Sequence, residues 1–378
     1  MKDFNNITCS LMNDVIIIGG NHHNSLGAIR ALGEKGLHPT FIVVTTEKKP
    51  FVGYSKYLSR TIQIPNNELI PETLLSECKV SGEKPVIICC SDPSSGVIDE
   101  NRDSLSSYFL LPGASEQGRI AYLMSKKVMS NLAVEVGLQI PQTYYCDEFN
   151  INNIPLPCIL KPLVSRKGKK SDIHICRTKD EIRNGIDTIG PENLQIQQFI
   201  DKKLEYQLIG CSTGSEVIIP GVSHILRPCK GSNTSFLHYV PLKEDFCDLE
   251  KCKEFVIRTG YRGLFSLEFL RDKQGNDFFM EINFRNDGNA ICVTEAGVNL
   301  PYIWYLACKG QNYQEEMTRK IKPSYIMPDS AELKLLLTGQ ISLIDYINDF
   351  RKTARFMEYD KNDPRPFWRM VRAKLHLW

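Results

Sequence analysis

The chain has 378 residues, of which 42% are hydrophobic and 24% charged, and its formal net charge is +2. This length predicts two or three domains, and the near-balanced charge argues against a nucleic-acid partner, which needs a strongly basic face. Thirteen cysteines without a Cys-x-x-Cys pair or zinc-ligand spacing indicate free thiols in a reducing compartment. The N-terminal residues lack a secretory signal pattern, and no apolar run reaches the roughly 20 residues of a membrane span, so we expect a cytoplasmic protein.

The first 115 residues predict a small α/β domain. Residues 15–18 form an apolar run typical of a buried strand, and helically spaced apolar residues lead to a second strand at 41–44. This unit implies a parallel sheet with a right-handed crossover, to which residues 86–90 add a strand. The Gly19-Gly20 turn lacks the third glycine and the acidic residue of a dinucleotide fingerprint, which argues against an NAD-dependent oxidoreductase.

The middle of the chain predicts a mainly antiparallel α+β region. A helix is expected at 125–136, with Gly137 placed to end it. Extended segments follow with few helices between them, at 158–161, 173–176, 194–200, 206–211, 216–219, 263–270 and 277–285. Residues 311–378 differ in composition, polar at first and then basic and aromatic, and are expected to form a C-terminal extension.

Two consecutive strands carry the residues that indicate chemistry. Side chains alternate along a strand, so Glu281, Asn283 and Arg285 share one face of the second strand, while its other face is apolar. If the two strands form a hairpin that turns near Gly275, Glu268 lies opposite Glu281 within a residue or two. Facing carboxylates repel each other, and Mg²⁺, which prefers oxygen ligands, would compensate them. The alternative from the pattern alone is an exposed polar sheet face.

Residues 281–285, Glu-Ile-Asn-Phe-Arg, resemble the Glu-x-Asn-x-Arg signature of the ATP-grasp superfamily, with Glu268 in the place of its upstream metal carboxylate. Phe284 stands where family members usually have proline. The resemblance covers roughly residues 14–310 and implies an α/β, Rossmann-like domain followed by an ATP-grasp fold of two α+β subdomains. The expected units are the N-terminal domain 1–115, the small subdomain 116–190, the C-terminal subdomain with the metal site 191–310, and the extension 311–378.

The resemblance also implies a nucleotide site. Lys126 and Lys161 resemble the family's two phosphate-contacting lysines, and Ser165 and Gly168 belong to a loop that resembles its phosphate lid. Gln197, Gln198 and the backbone of Ile200 take the adenine positions, and Glu205 takes the position of the ribose-binding carboxylate. A glutamine amide both donates and accepts hydrogen bonds, which suits the adenine edge. The implied cofactors are ATP and Mg²⁺, with Mn²⁺ as an alternative metal.

The resemblance assigns roles around the reacting groups. Glu268, Glu281 and Asn283 are the implied metal ligands, and Arg285 is the implied catalytic residue. Gly20, His22 and His23 are candidates for the wall that binds the non-nucleotide substrate, although both histidines are equally compatible with an ordinary turn. Arg227 falls where the family often places a basic residue that faces phosphate or a substrate carboxylate.

The implied reaction joins a small carboxylate to a small amine through an acyl phosphate, with release of ADP and phosphate. The Gly-Gly turn, residues 54–57 and residues 90–92 look most like D-aspartate ligases and carbamoyl-phosphate-synthase-like ligases. The alternatives are a non-catalytic nucleotide-binding protein on the same frame, or the oxidoreductase already argued against. The sequence does not name the acid or the amine, and the oligomeric state is left open, with a homo-oligomer as one alternative.

The last fifteen residues mix basic and aromatic side chains and allow two interpretations. Arg365, Arg369, Arg372 and Lys374 accompany Phe367, Trp368 and Trp378. Such a segment can contact an anionic membrane surface. The interpretation we favour is a terminal helix that packs on the body of the protein.

Overall fold

A computed structural model describes residues 14–145, 150–162, 173–190, 194–228, 235–243 and 246–375. The N-terminal part is a parallel sheet of four strands in the order β3-β2-β1-β4. Its strands are β1 (Val15–Gly19), β2 (Thr40–Val44), β3 (Arg60–Ile64) and β4 (Val86–Cys89). Every residue of β1 is buried, as expected for a parallel strand covered on both faces. The predicted strand–helix–strand unit is confirmed, with helix α1 (His23–Gly33) as its crossover.

Five further short helices surround this sheet or lead to the next unit: α2 (Ile70–Thr73), α3 (Asp92–Glu100), α4 (Arg102–Leu105), α5 (Arg119–Leu123) and α6 (Lys126–Glu135). Helix α6 confirms the helix predicted at 125–136. Gly137 follows it at a φ of 77°, a left-handed conformation that glycine adopts without strain, and so ends the helix where predicted.

A second sheet has four antiparallel strands in the order β5-β8-β6-β7. Its elements are β5 (Thr143–Tyr145), β6 (Cys158–Pro162), β7 (His174–Cys176), helix α7 (Lys179–Ile189) and β8 (Leu194–Gln198). Cys158, Leu160 and Ile196 point into its small core. Because side chains alternate, Lys161 and Gln197 project from the opposite face. Strand β8 pairs with β5 and β6, both of which precede residue 190 in the chain.

The third sheet has eight strands, and its path runs β14-β13-β9-β11-β12-β15-β16, with β10 paired to β9. The strands are β9 (Lys202–Ser212), β10 (Val217–Ile218), β11 (Gly221–Pro228), β12 (Ser235–Pro241), β13 (Gly263–Asp272), β14 (Asp277–Asn283), β15 (Ser324–Met327) and β16 (Thr353–Phe356). Helix α8 (Leu249–Thr259) shares one hydrophobic core with α6 and with β13 and β14. This packing fixes the hairpin of β13 and β14 against the rest of the protein.

Helices α9 (Ile291–Ala296) and α10 (Leu300–Cys308) connect the large sheet to the N-terminal sheet. A single hydrophobic core contains residues of β1, α1, α9, α10 and the large sheet. Trp304 of α10 is buried, and its indole Nε1 donates a hydrogen bond of 3.1 Å to the carbonyl oxygen of Ile87 in β4. The N-terminal sheet is therefore held rigidly against the strands that carry Glu268 and Glu281.

The C-terminal residues are integrated into the fold. After α11 (Gln314–Met317), β15 and β16 extend the large sheet, and helices α12 (Asp329–Leu337) and α13 (Leu343–Lys352) lie between and beside them. The last helix, α14 (Arg365–Lys374), packs against the 3-10 helix Phe51–Tyr54 of the N-terminal part. Met370 is buried there, and the Arg369 guanidinium lies 4.1 Å from the Tyr54 ring centroid.

This packing is the interpretation that we favoured for the C-terminal segment, and nothing supports the membrane contact. Within the residues that the structure describes, no helix is long and apolar enough to cross a membrane.

Candidate active site

The hairpin of β13 and β14 confirms the predicted pairing, because Glu268 lies directly opposite Glu281. Gly275 makes the turn at a φ of 95°, and the carboxylate of Asp272 accepts hydrogen bonds from the amides of Gln274 and Asn276. A bulge follows Glu268 in the register. The turn and the alternation of side chains thus bring two carboxylates to one face of the sheet.

The paired carboxylates repel each other in the protein without a cation. Burial and then the charges of Glu281 and Asp287 raise the pKa of Glu268 from 4.5 to about 8. Asn283 is buried beside them and donates a 3.1 Å hydrogen bond from Nδ2 to Oε1 of Glu268. Its amide oxygen and the remaining carboxylate oxygens are ligands of the kind that Mg²⁺ prefers.

A magnesium ion fits this patch because it would relieve the repulsion between the two glutamates. Within the described ranges, no group of three or more His, Cys, Asp or Glu side chains is arranged to hold a metal. Two carboxylates and one amide oxygen are therefore an incomplete ligand set. Mg²⁺ commonly takes its remaining ligands from water and substrate phosphates, so this set suits a metal that arrives with a nucleotide.

Arg285 lies just beyond the end of β14 and is held by two carboxylates. Its Nη1 donates to Oδ2 of Asp287 at 3.0 Å, and its Nε lies 3.2 Å from Oδ1 of Asp92, at the start of α3. Burial would lower the pKa of Arg285, but the charges of Asp287 and Asp92 outweigh it and raise that pKa. Among the described residues, Nη2 has no hydrogen-bond partner, which leaves one arm of the fork for a ligand.

Sequence reasoning missed the residues that hold this patch in place. Gln207 of β9 donates from Nε2 to Glu268 at 3.2 Å, and its own Oε1 accepts from Asn289 at 2.8 Å. Asp287 accepts from the Ser266 hydroxyl at 2.8 Å. Gln207 could have been found only from the pairing of β9 with β13, which places it opposite Glu268. Asp287 and Asn289 follow the signature closely, and their proximity to it was the available signal.

The two predicted phosphate lysines lie near the glutamate patch. Burial, and then the positive charge of Lys126, lower the pKa of Lys161 to about 8, while the charge of Glu281 opposes the shift. Lys161 Nζ donates to Oε1 of Gln197 at 2.6 Å, and Gln197 Nε2 donates to the hydroxyl of Thr143 at 3.1 Å. The small sheet and α6 thus direct two lysines toward the carboxylates of the large sheet.

The other residues predicted to bind the nucleotide lie on β8, on β9 or between these two strands. Gln198 ends β8, and its Oε1 accepts a 3.2 Å hydrogen bond from the amide of Gln142. Ile200 is buried between β8 and β9, and Glu205 of β9 forms an ion pair with Lys202. Their adenine and ribose roles stay predictions. Ser165 and Gly168 lie outside the described residues.

The turn after β1 carries Gly20, His22 and His23. His22 caps α1 by accepting a 3.3 Å hydrogen bond from the amide of Asn24, and its ring centroid lies 3.7 Å from that of His23. Burial, and then His22, lower the pKa of His23 to about 3, so its imidazole is neutral at physiological pH. A side chain at Gly288 would meet His23 Nε2 at 3.5 Å, which places this histidine against the loop after the signature.

Arg227 has structural partners. It projects from β11, and its Nη2 lies 2.6 Å from Oε2 of Glu332 in α12 and 2.6 Å from Oδ2 of Asp349 in α13. Burial would lower its pKa, but hydrogen bonds to these two carboxylates outweigh that effect and raise it. Arg227 thus anchors the C-terminal helices to the large sheet, and its predicted substrate contact is not needed to explain its position.

The fold of the chain, but not its sequence, matches known proteins. No family profile and no curated protein sequence matches the chain. Solved structures do match. An L-amino acid ligase from Bacillus licheniformis is 16% identical, with a TM-score of 0.63, over 83% of this chain and 79% of its own. An ADP complex of N5-carboxyaminoimidazole ribonucleotide synthetase is 14% identical, with a TM-score of 0.65, over 87% of this chain and 86% of its own.

A third solved structure extends the likeness to carboxylases. Biotin carboxylase from Campylobacter jejuni, bound to a β-γ-ATP ligand, is 15% identical, with a TM-score of 0.63, over 84% of this chain and 75% of its own. All three are ATP-grasp proteins, and at these identities the likeness establishes the fold. The chain therefore has the fold of the ATP-grasp superfamily.

Proposed function

We propose that the protein is an ATP-dependent ligase that joins a small carboxylate to a small amine. The observation that carries the proposal is the direct pairing of Glu268 with Glu281, with Asn283 beside them and Arg285 at the end of the strand. A non-catalytic nucleotide-binding protein would gain nothing from placing Glu281 where its charge opposes the ionisation of Glu268. The similar structures bound to ADP or to ATP support nucleotide binding. The predicted subfamily, cytoplasmic location and possibility of a homo-oligomer stay predictions.

In the proposed reaction, a substrate carboxylate oxygen attacks the γ-phosphorus of ATP, and the bond from that phosphorus to the β–γ bridging oxygen breaks. The nitrogen of a neutral amine then attacks the acyl carbon, the carbon–oxygen bond to phosphate breaks, and the nitrogen loses one proton. The products are an amide, ADP and phosphate. A bound Mg²⁺ would supply charge neutralisation between the phosphates and the glutamates.

The residues of the chain have separate tasks in this scheme. Glu268, Glu281 and Asn283 would hold the metal, which Mn²⁺ could replace. Lys126 and Lys161 would neutralise phosphate oxygens as ADP leaves. Arg285, clamped by Asp287 and Asp92, would aim its remaining arm at the transferred group. Gln197, Gln198, Ile200 and Glu205 would position the adenosine.

The function is tested by incubating the full-length protein with MgATP and pooled carboxylates and amines, and by following ADP, phosphate and amide formation together. We expect all three products in equal amounts, and only when both pools are present. ADP release without an amide would contradict the ligase assignment. An absence of MgATP binding in calorimetry would contradict nucleotide binding altogether.

Replacement of Lys161 by methionine should weaken MgATP binding at least tenfold at pH 7 and leave adenosine binding unchanged. Methionine keeps an unbranched stem but loses a charge-assisted phosphate contact. In the wild-type protein, ATP affinity should fall as the pH rises through about 8, because Lys161 loses its proton there. The variant should lack this part of the pH dependence. Equal losses for ATP and adenosine in calorimetry would instead assign Lys161 a structural role.

Replacement of Arg285 by lysine should lower kcat at least tenfold, a cost of about 1.4 kcal/mol, with little change in MgATP affinity. Lysine keeps the charge beside Asp287 and Asp92, but it lacks the planar fork that can also reach a ligand. The measurements are kcat with an identified substrate pair and ATP affinity by calorimetry. A near-normal kcat with much weaker ATP binding would make Arg285 a nucleotide anchor only.

A further inference from the structure

A cavity of about 400 Å³ lies between the turn after β1 and the C-terminal residues. The N-terminal side of its wall includes His22, His23 and Phe51, and the C-terminal side includes Ser330, Glu358 and Met370. This volume is within the usual range for small-molecule sites, about 300–1,000 Å³. His23 also lies against Gly288, so the cavity adjoins the loop that carries Asp287 and follows Arg285.

The most buried acidic side chain that lines the cavity is Glu358. Glu358 is only 5% exposed, and its Oε1 accepts a 2.9 Å hydrogen bond from the Ser330 hydroxyl. Burial alone would raise the pKa of Glu358, but the Asp329 carboxyl group, the charge of His23 and hydrogen bonds from Ser330 together outweigh burial and keep the pKa below its ordinary value. Burial, and then Glu358, raise the pKa of Asp329. The two carboxyl groups therefore titrate as a coupled pair, which carries one negative charge at neutral pH.

Among the described residues, Glu358 forms no ion pair with a lysine or an arginine, although the His23 imidazole lies close enough to act on its pKa. The neighbouring imidazole of His23 is neutral, because burial lowers its pKa. A buried carboxylate without a cation is costly, because burial removes its hydration. The structure thus contains a buried negative charge that faces a cavity of ligand size.

The other charged side chains of the cavity contribute little to its electrostatic potential. Glu47, Lys49 and Lys374 line its rim, and all three are exposed. Exposed charges interact weakly because water and salt screen them. Phe51, Ala331 and Met370 supply apolar surface beside the carboxylate. The cavity therefore combines an anionic floor with an apolar wall.

We propose that Glu358 binds the ammonium group of the amine substrate, and that the cavity is the amine subsite of the ligase. The ligand class is a primary amine that carries an apolar group of moderate size. The assignment rests on the proposed function, because it names the substrate that meets the acyl phosphate near Arg285. It concerns recognition: the ammonium must lose a proton before its nitrogen attacks.

The test compares two probes that differ in charge, phenethylamine and phenethyl alcohol, by calorimetry on the full-length protein at pH 7. We expect the amine to bind wild-type protein at least tenfold more tightly than the alcohol. In Glu358→Gln, the amine should lose at least tenfold in affinity and the alcohol should bind as before. Asp329→Asn should keep amine binding, because Glu358 still supplies the single negative charge of the pair. Glu315→Gln, an exposed change on α11, is the matched control.

Equal affinity of the two probes for wild-type protein would overturn the subsite without any variant. Unchanged amine binding in Glu358→Gln would overturn it equally. MgATP binding, measured in the same samples, separates this result from the proposed function. Equal affinity of the two probes for wild-type protein that binds MgATP normally counts against the subsite alone, whereas no MgATP binding in wild-type protein counts against the ligase assignment.

Discussion

Replacement of Glu281 by glutamine should lower turnover of the proposed ligase at least a hundredfold, a cost of about 2.7 kcal/mol, and leave the protein folded. Glu281 is half-buried on the polar face of β14 and is not part of a hydrophobic core. Glutamine retains the size of the side chain, while it removes one of the two negative charges that would hold the metal. The measurement is amide formation in Mg²⁺, with Glu250→Gln on the surface of α8 as the matched control.

The same substitution should stabilise the protein in the absence of metal. Because the pKa of Glu268 is raised from 4.5 to about 8 in the folded state, the folded state binds more protons than the unfolded state between these values. Stability therefore falls as the pH rises through this window. Removal of the Glu281 charge should weaken that fall, and added Mg²⁺ should raise the melting temperature of wild-type protein more than that of the variant.

Two results would contradict the metal assignment. One is full ligase activity of purified Glu281→Gln in Mg²⁺. The other is a melting temperature that responds equally to Mg²⁺ and MgATP in wild type and variant. If the site gains activity at the cost of stability, Glu281→Gln should lower the activity and raise the stability of the metal-free protein.

The hairpin could be predicted because its information is local. Alternation assigns Glu281 and Asn283 to one face, and Gly275 between two strand patterns fixes the turn, so the opposition of Glu268 and Glu281 follows from short-range rules. The strand β1 and the end of α6 at Gly137 follow from equally local signals. The order of the candidate nucleotide residues came from resemblance to a family.

The supporting contacts could not be predicted, because they depend on which distant strands pair. Gln207 reaches Glu268 only because β9, about sixty residues earlier, lies beside β13. Strand β8 pairs with β6, although the composition gives no sign of this pairing. Strands β15 and β16 extend the large sheet, although they belong to a segment whose composition differs from that of the rest of the chain. The cavity has the same origin, since His23 and Glu358 meet only when the two ends of the chain pack together.

That packing depends on a buried ion pair. Arg30 of α1 and Asp363 in the segment before α14 each have a side chain only 1% exposed, and Arg30 Nε lies 3.1 Å from Oδ2 of Asp363. The guanidinium also donates to the carbonyl oxygens of Met357, Glu358 and Asp363. Asp363 accepts further hydrogen bonds from the Ser55 hydroxyl at 2.7 Å and from the Lys56 amide at 2.9 Å. Every polar group in this contact therefore has a partner.

Replacement of Arg30 by methionine should lower the free energy of unfolding by about 3–5 kcal/mol, because it leaves the Asp363 carboxylate buried without its cation and three carbonyl groups without a donor. The measurement is urea unfolding, with Arg258→Met as the matched control. Arg258 pairs with Glu254 on the exposed face of α8, so that change should cost no more than about 0.5 kcal/mol. The double change Arg30→Met, Asp363→Leu should recover part of the loss, because the unpaired charge is gone.

Equal losses in Arg30→Met and Arg258→Met would show that the buried pair does not hold the two ends together. Because Arg30 also binds the carbonyl oxygen of Glu358, the variant should lose affinity at the proposed amine subsite and keep the affinity for MgATP that we propose for the hairpin.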